Sequence, residues 1–253
     1  LKALHIKPNL AKNLRFFRIL GVGVALWGVI YGSFFGFKLP FAVVDTSTDV
    51  ITILIMSVVI GFITVMTGLY LSGTKNIRMK DYAEAYNSGF AWMLILVGLA
   101  LLAAGRLFPS LAIAGLIGQW LAIINAGGIV LVSIISAKSL KGLGPALFNL
   151  YNISSYVGDL VSFTRLMALG LAGASIGSAF NLIVSLFPPF ARFSIGIVLF
   201  IALHSINMFL SFLSGYVHGA RLIFVEFFGK FYDGGGKAFK PLKPAGKYVR
   251  YKK

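Results

Sequence analysis

Hydrophobic positions form six long runs along the chain, and short segments rich in charge separate them. The predicted spans are 16–36, 50–72, 88–107, 112–136, 146–187 and 193–232. Each run is long enough for a helix to cross a hydrocarbon core of about 30 Å. The pattern therefore predicts an all-α fold, a polytopic membrane helical bundle.

The last two runs are longer than a membrane span requires. Each covers about 40 residues without an internal proline, and Pro188 and Pro189 lie between them. At a rise of about 1.5 Å per residue, such helices would be roughly 60 Å long, twice the thickness of the hydrocarbon core. We therefore expect two long, strongly tilted C-terminal helices.

The composition agrees with a membrane protein. The 253 residues are 58% hydrophobic and only 12% charged, with a mean hydropathy of +0.89. Soluble domains carry about twice that charged fraction. With no cysteine, disulfides and Cys-based zinc sites are excluded. The chain opens on Leu1 without a signal peptide, so we expect the membrane domain 1–253 to be a fragment of a longer chain.

The net charge of +16 lies mainly at alternate ends of successive runs. Most of the 23 Lys and Arg residues are cytoplasmic if both ends of the chain and the loops near 73–87 and 137–145 are cytoplasmic. This is the positive-inside pattern, and 233–253 then forms a basic cytoplasmic tail. We interpret these clusters as topology determinants that contact anionic lipids, not nucleic acid.

Two arginines, Arg165 and Arg221, interrupt the last two apolar runs. A charge at membrane depth costs about 2.5–3.5 kcal/mol on insertion scales and usually serves an ion pathway or a pair. The nearby acids are Asp159, six residues before Arg165, and Glu226, five residues after Arg221. Neither spacing places the pair on one α-helical face, which takes three or four residues. Cross-helix pairing, such as Asp159 with Arg221, remains open, and we expect at least one arginine to face a carboxylate of another subunit.

Polar residues at helical spacing lead to each arginine. The inner stripe, which precedes Arg165, consists of Asn152, Ser155, Asp159 and Ser162. The outer stripe, which precedes Arg221, consists of His204, Asn207, Ser211, Ser214 and His218. Because the two helices run in opposite directions, the stripes predict two polar half-paths, one from each side, that end at the arginines.

An alternative role for these stripes is interhelical hydrogen bonding, which would stabilise the bundle without conducting ions. The two histidines, His204 and His218, lie fourteen residues apart with no third ligand, so no metal site is predicted.

Two segments resemble a known family. Residues 156–172 read YVGDLVSFTRLMALGLA, and residues 217–236 read VHGARLIFVEFFGKFYDGGG. The first closely resembles the signature of the V-type (V/A-type) ATPase membrane stator, called subunit a, or subunit I in bacteria and archaea. The second is similar to that family's final helix and its exit, and with the six-span layout the resemblance covers essentially the whole chain.

The resemblance implies a stator subunit of a rotary motor. Its expected partners are a rotor ring of membrane subunits bearing an ion-binding carboxylate, the other ATPase subunits, including the peripheral stalk through the missing N-terminal part, and lipids. Arg165 and Arg221 map onto the family arginines that release ions from the ring, and Glu226 and Asp159 are expected to assist. ATP hydrolysis would belong to other subunits, and no cofactor is expected besides the transported ion.

The resemblance also bears on the ion and on the location. Eukaryotic proton pumps of the family carry a Glu, a His and another Glu at positions that here hold Tyr151, Gly173 and Ser211. Without those titratable groups, Na⁺ is favoured, with H⁺ as the second choice. The expected location is the plasma membrane of a prokaryote.

Two other classes of membrane protein stay open. A self-contained cation antiporter would need its own intramembrane carboxylate and often has inverted repeats; Asp159 is the only deep acid, and no repeat is clear. A non-transporting membrane scaffold would need neither. An arginine substitution that abolishes transport while assembly survives separates the stator from the scaffold.

Overall fold

The computed structural model describes residues 8–31, 33–38, 44, 49–137, 143–236 and 239. Helices dominate these residues, and their only sheet is an antiparallel hairpin that pairs Ser33 with Lys38 and Phe34 with Phe37. The elements, in chain order, are α1 (Pro8–Ile30), β1 (Ser33–Phe34), β2 (Phe37–Lys38), α2 (Val50–Arg78), α3 (Tyr82–Leu107), α4 (Ala112–Ala137), α5 (Leu143–Tyr151), α6 (Ile153–Ser162), α7 (Thr164–Ser185) and α8 (Pro189–Lys230).

Six helical segments of the described residues are long and apolar enough to cross a membrane, which confirms the all-α polytopic fold. They are Asn13–Ile30, Val50–Arg78, Tyr82–Leu107, Pro109–Ser136, Leu147–Ser185 and Pro189–Lys230. The last two measure 39 and 42 residues. Their tilt stays a prediction, and most of the predicted tail 233–253 lies outside the described residues.

The first span ends earlier than the hydrophobic pattern predicts. Helix α1 stops at Ile30, whereas the apolar run continues to residue 36. The remaining residues turn back in the β1–β2 hairpin, where Phe35 and Gly36 adopt φ values of 50° and 77°. A left-handed backbone cannot continue a right-handed helix, so the prediction of a helix to residue 36 is wrong.

The predicted uninterrupted helix 146–187 is divided into α5, α6 and α7. Single turn residues, Asn152 and Phe163, separate the three helices. The amide group of each donates to the carbonyl oxygen three residues earlier, as in a 3₁₀ turn: Asn152 N to Asn149 O at 3.2 Å, and Phe163 N to Leu160 O at 3.2 Å. Phe163 is buried and lies directly over Gly61 of α2, where a Cβ would approach its ring to 2.6 Å. The second of these turns, at Phe163, therefore lies where the long segment packs on α2.

Helix starts follow local chemistry. At the start of α3, the side chain of Asp81 accepts a hydrogen bond from Glu84 N at 3.1 Å, which satisfies one of the free amide groups of the first turn. At the start of α8, Pro189 occupies the first turn, where its missing N–H costs nothing.

The hydrophobic core lies where α2 and α3 meet α6 and the end of α8. Val65 and Leu69 of α2 are fully buried, and Trp92 of α3 is 1% exposed. The ring of Trp92 lies 4.8 Å from that of Tyr156 on α6, centroid to centroid. Leu222, next to Arg221, belongs to the same cluster. The core therefore holds both arginine-bearing segments against one rigid support.

Candidate functional site

Two cross-helix pairs connect α6 to the end of α8; we call them the ladder. Lys230 Nζ forms an ion pair with Asp159 Oδ2, and both side chains are mostly buried. One turn further along, Ser162 Oγ donates a hydrogen bond to Glu226 Oε1 at 2.5 Å. Because residue numbers rise along α6 as they fall along α8, the two helices are antiparallel here. The structure thus resolves the open question about Asp159: its partner is Lys230, not Arg221.

Glu226 also approaches Arg221 on its own helix. Arg221 Nε lies 3.9 Å from Glu226 Oε1. We expected a spacing of five residues to keep these side chains on different faces, and that expectation is wrong. In an α-helix, residues five apart point about 140° away from each other. Residues Leu222–Phe227 instead form a π-helical turn, whose hydrogen bonds join residues five apart and bring such side chains onto one face.

The environments of Arg221 and Glu226 differ sharply. The side chain of Arg221 is 60% exposed, whereas that of Glu226 is 3% exposed. Glu226 Oε2 is buried without a hydrogen-bond partner among the described residues. A distance of 3.9 Å is too long for a hydrogen bond, so Arg221 has donors left for another acceptor.

Arg165 occupies the second position of α7, one turn after Ser162 along the kinked segment. The residue is half-buried, and within the described part of the chain its Nη1 is buried without a hydrogen-bond partner. A buried unpaired donor on a cation is costly, since it has lost water and gained nothing in return. Arg165 is therefore a half-buried cation whose Nη1 has no acceptor among the described residues.

Much of the predicted outer stripe faces α7. His204 is buried, and its Nε2 lies 3.0 Å from Asn181 Oδ1. Asn207 Nδ2 donates to Gly173 O at 3.2 Å. Ser211 Oγ lies 3.4 Å from the point that a Cβ on Gly173 would occupy. These three residues hold α8 against α7, as in the hydrogen-bonding alternative described above.

The other predicted lining residues are more accessible. Ser214 and His218 are half-buried and continue the outer stripe towards Arg221. On the inner stripe, Ser155 is exposed, and Asn152 is half-buried at the turn between α5 and α6. The structure thus brings Asp159, Ser162 and Glu226 together in the ladder, whereas Asn152, Ser155, Ser214 and His218 lie at more accessible positions.

Sequence reasoning missed two residues of this region. Lys230 was not among the predicted site residues, although it lies four residues after Glu226 and so shares its face. Asn181 joins His204 to the hairpin, because its Nδ2 donates to Phe35 O at 2.8 Å. The sequence feature that could have identified Asn181 is its spacing, four residues from Gly177 and eight from Gly173, which places all three residues on one face of α7.

Comparison with known proteins gives consistent matches. No family model matches the chain. It is 31% identical over 229 residues to the A-type ATP synthase subunit I of Pyrococcus abyssi, covering 85% of this chain and 33% of that protein. It is 25% identical over 270 residues to the A-type ATP synthase subunit I of Methanocaldococcus jannaschii, covering 91% and 38%.

A bacterial relative matches as well. The V-type ATP synthase subunit I of Chlamydia trachomatis is 31% identical over 178 residues, which covers 66% of this chain and 26% of that protein. The chain spans about a third of the length of the archaeal relatives it matches. These matches extend over most of the chain, and by them it belongs to the subunit I family of A-type and V-type ATP synthases.

Proposed function

We propose that this chain is the ion-conducting part of the membrane stator of a rotary ATPase. Arg165 and Arg221 would face a ring of membrane helices and attract the carboxylate that each ring subunit carries. The observation that carries the proposal is the buried, unpaired Nη1 of Arg165 beside the ladder, in a chain of the subunit I family. Arg165 is half-buried, and in this proposal the ring packs against the part of the residue that this chain leaves uncovered.

The chemistry of ion release follows from electrostatics. A carboxylate that holds a cation loses it when a fixed guanidinium comes within reach, because the guanidinium supplies the compensating charge. Attraction between the two charges is stronger in a low-dielectric slot than in water, although desolvation reduces the net gain. Arg165 is suited to this task because a guanidinium remains charged and offers a planar fork of donors.

The two stripes support offset half-paths. The inner stripe would lead from the cytoplasmic side to Arg165. From the other side, Ser214 and His218 of the outer stripe would lead to Arg221. His204, Asn207 and Ser211 would contribute mainly by fixing α8 to α7, since two of them are hydrogen-bonded across that contact. The positive charges of Arg165 and Arg221 between the half-paths would block direct cation leakage.

The transported ion we propose is Na⁺, with H⁺ as the second candidate. Gly173 and Ser211 occupy two positions where eukaryotic proton pumps of the family carry titratable groups, and Ser211 Oγ lies 3.4 Å from the point that a Cβ on Gly173 would occupy. Neither residue carries a group that titrates near neutral pH, so these two positions supply no proton relay. Moving either cation against the potential requires about 2.3 kcal/mol per 100 mV, which ATP hydrolysis on other subunits would supply.

The proposal includes a location and partners. Both ends of the chain would lie in the cytoplasm of a prokaryotic cell, with the six spans in its plasma membrane. The rotor ring and the peripheral stalk would be its neighbours.

The second candidate function is a non-transporting scaffold. It is favoured by the hydrogen bonds that His204 and Asn207 form with residues of α7. An antiporter is less supported, because Asp159 is neutralised by Lys230.

The test is ATP-driven uptake of radioactive sodium by the reconstituted ATPase, with a pH-sensitive dye as a parallel readout. Arg165→Ala is compared with Arg78→Ala, an exposed arginine at the end of α2. We expect sodium uptake in the intact complex and in Arg78→Ala, and none in Arg165→Ala although assembly is intact. A pH gradient without sodium uptake would change the ion to H⁺. Unchanged uptake in Arg165→Ala would favour the scaffold.

A further inference from the structure

Lys230 connects three parts of the molecule at the foot of the ladder. Its Nζ pairs with Asp159 of α6 and lies 4.3 Å from the centroid of the Tyr156 ring. Its Cβ and Cγ lie 3.4 Å from the point that a Cβ on Gly68 of α2 would occupy. Since Tyr156 packs on the buried Trp92, the lysine ties the end of α8 to the rigid core.

The position of Lys230 fixes the register between α6 and α8. The first pair of the ladder joins residues 159 and 230, and the second joins 162 and 226. A further turn in the same register brings Arg165 level with the turn that contains Arg221 and Leu222. Sliding α8 along α6 would therefore separate the two arginines, and the Asp159–Lys230 pair opposes such sliding.

The pair also controls the charge near the arginines. Asp159 and Lys230 side chains are 15% and 11% exposed, so water screens them poorly. Without Lys230, Asp159 would be an uncompensated anion one turn from Ser162 and Glu226. Such an anion would attract Arg165 or Arg221 and compete with a carboxylate arriving from outside the chain.

We propose that Lys230 is a positioning residue: by neutralising Asp159, it leaves no unpaired charge that would shift α6 against α8 or capture the arginines. This inference rests on the proposed stator function. It moves Asp159 from direct ion handling, as first expected from the sequence, to a structural partnership with Lys230. What positions 159 and 230 then require is that their charges cancel; a carboxylate at position 159 is not needed for its own sake.

The experiment measures the ATP-driven membrane potential of the reconstituted ATPase with an oxonol dye, which responds whichever cation moves. The variants are Lys230→Met, Asp159→Asn, the double variant with both changes, and Lys230→Arg. Lys75→Met serves as the matched control, because Lys75 also pairs with an aspartate, Asp233, whose side chain is 89% exposed. Assembly is checked for each by native electrophoresis.

The two single variants should lower the initial rate about tenfold or more in assembled complexes, since each leaves one poorly hydrated charge unpaired. The double variant should return to within about threefold of the wild type, because removing both charges leaves none unpaired. Lys230→Arg keeps the charge and the contact with the Tyr156 ring, so its initial rate should also lie within about threefold of the wild type. Lys75→Met should stay close to the wild type.

Rescue by the double variant separates positioning from direct ion handling. A double variant as inactive as Asp159→Asn would show that the carboxylate itself is needed and would overturn the proposal. Wild-type rates in both single variants would overturn it as well. If the intact complex hydrolysed ATP without building a potential, the stator function itself would fail, and the role of Lys230 would fail with it.

Discussion

At the scale of single residues, Glu226 is the most constrained group in the site. It is 2% exposed, Ser162 donates to one of its oxygens, and Arg221 approaches the same oxygen. Its other oxygen has no hydrogen-bond partner in the described part of the chain. A buried carboxylate with so few donors depends heavily on each one. Ser162 is therefore expected to matter more than its small size suggests.

Replacing Ser162 with alanine tests this dependence. A hydrogen bond to a charged group contributes about 1.5–3 kcal/mol, so Ser162→Ala should lower the unfolding temperature of the detergent-solubilised subunit by several degrees. Ser162→Thr, which keeps the hydroxyl, should recover much of the loss. The control is Ser110→Ala, at an exposed position before α4, which should leave the unfolding temperature unchanged. Equal unfolding temperatures for Ser162→Ala and Ser110→Ala would refute the stabilising role of this hydrogen bond.

At the scale of elements, the π-helical turn Leu222–Phe227 decides which side chains share a face. It aligns Arg221 with Glu226 at a spacing of five residues and carries the chain on to Lys230. A regular α-helix through this segment would point Glu226 away from Arg221. Single π-helical turns within α-helices are frequent at functional sites.

Deleting one exposed residue from this turn should convert it to an α-helix. Phe224 is 68% exposed, so its removal takes little packing away. We expect the Phe224 deletion to retain ATP-driven uptake in an assembled complex, because it leaves Glu226 four residues after Arg221, a spacing that keeps both side chains on one face of an α-helix. The substitution Phe224→Leu keeps the chain length and should retain uptake. Loss of uptake in an assembled deletion variant would show that the π-helical turn itself is needed, and not only the shared face of Arg221 and Glu226.

The β1–β2 hairpin is a second element that depends on one residue. Gly36 has a φ of 77°, and a Cβ there would lie 2.5 Å from the backbone of Gly177 on α7. We expect Gly36→Ala to lower the unfolding temperature, since both the strain and the clash oppose it. Gly23→Ala on α1 is the matched control, because no atom lies within 4 Å of its Cβ position. A neutral Gly36→Ala would mean that the hairpin does not dock on α7.

The sequence was informative about elements wherever burial in lipid dominates. Six apolar runs suffice to predict six spans, because every backbone group in a bilayer must be bonded within a helix. The hairpin at Phe35 and Gly36 escaped prediction, since its residues are as apolar as the helix before them. The π-helical turn and the partner of Asp159 escaped too, because both depend on how α6 and α8 dock and not on either helix alone.

At the scale of the whole molecule, charge placement sets the orientation. The basic clusters predict that the loop between α2 and α3 is cytoplasmic and that the loop before α4 lies on the opposite side. Met79 and Ser110 mark these two loops, and both are exposed. These 253 residues contain no cysteine, so a cysteine introduced at either position is the only one in this part of the chain.

This orientation is tested with a membrane-impermeant thiol reagent. Ser110→Cys should be labelled from outside intact cells, and Met79→Cys only in inside-out vesicles. The positive-inside rule gives the direction, because positively charged loops are retained in the cytoplasm. Reversed labelling would invert the half-paths, with the inner stripe then opening to the outside.

ATP-driven ion uptake in the assembled ATPase, compared between Arg165→Lys and Arg78→Lys, decides whether the guanidinium of Arg165 engages the ring carboxylate. Lysine keeps the charge but lacks the planar fork of donors, one of which is buried and unpaired in Arg165. We predict that Arg165→Lys loses most of its uptake while Arg78→Lys keeps it. Full uptake in an assembled Arg165→Lys complex would contradict the claim that this guanidinium engages the ring carboxylate.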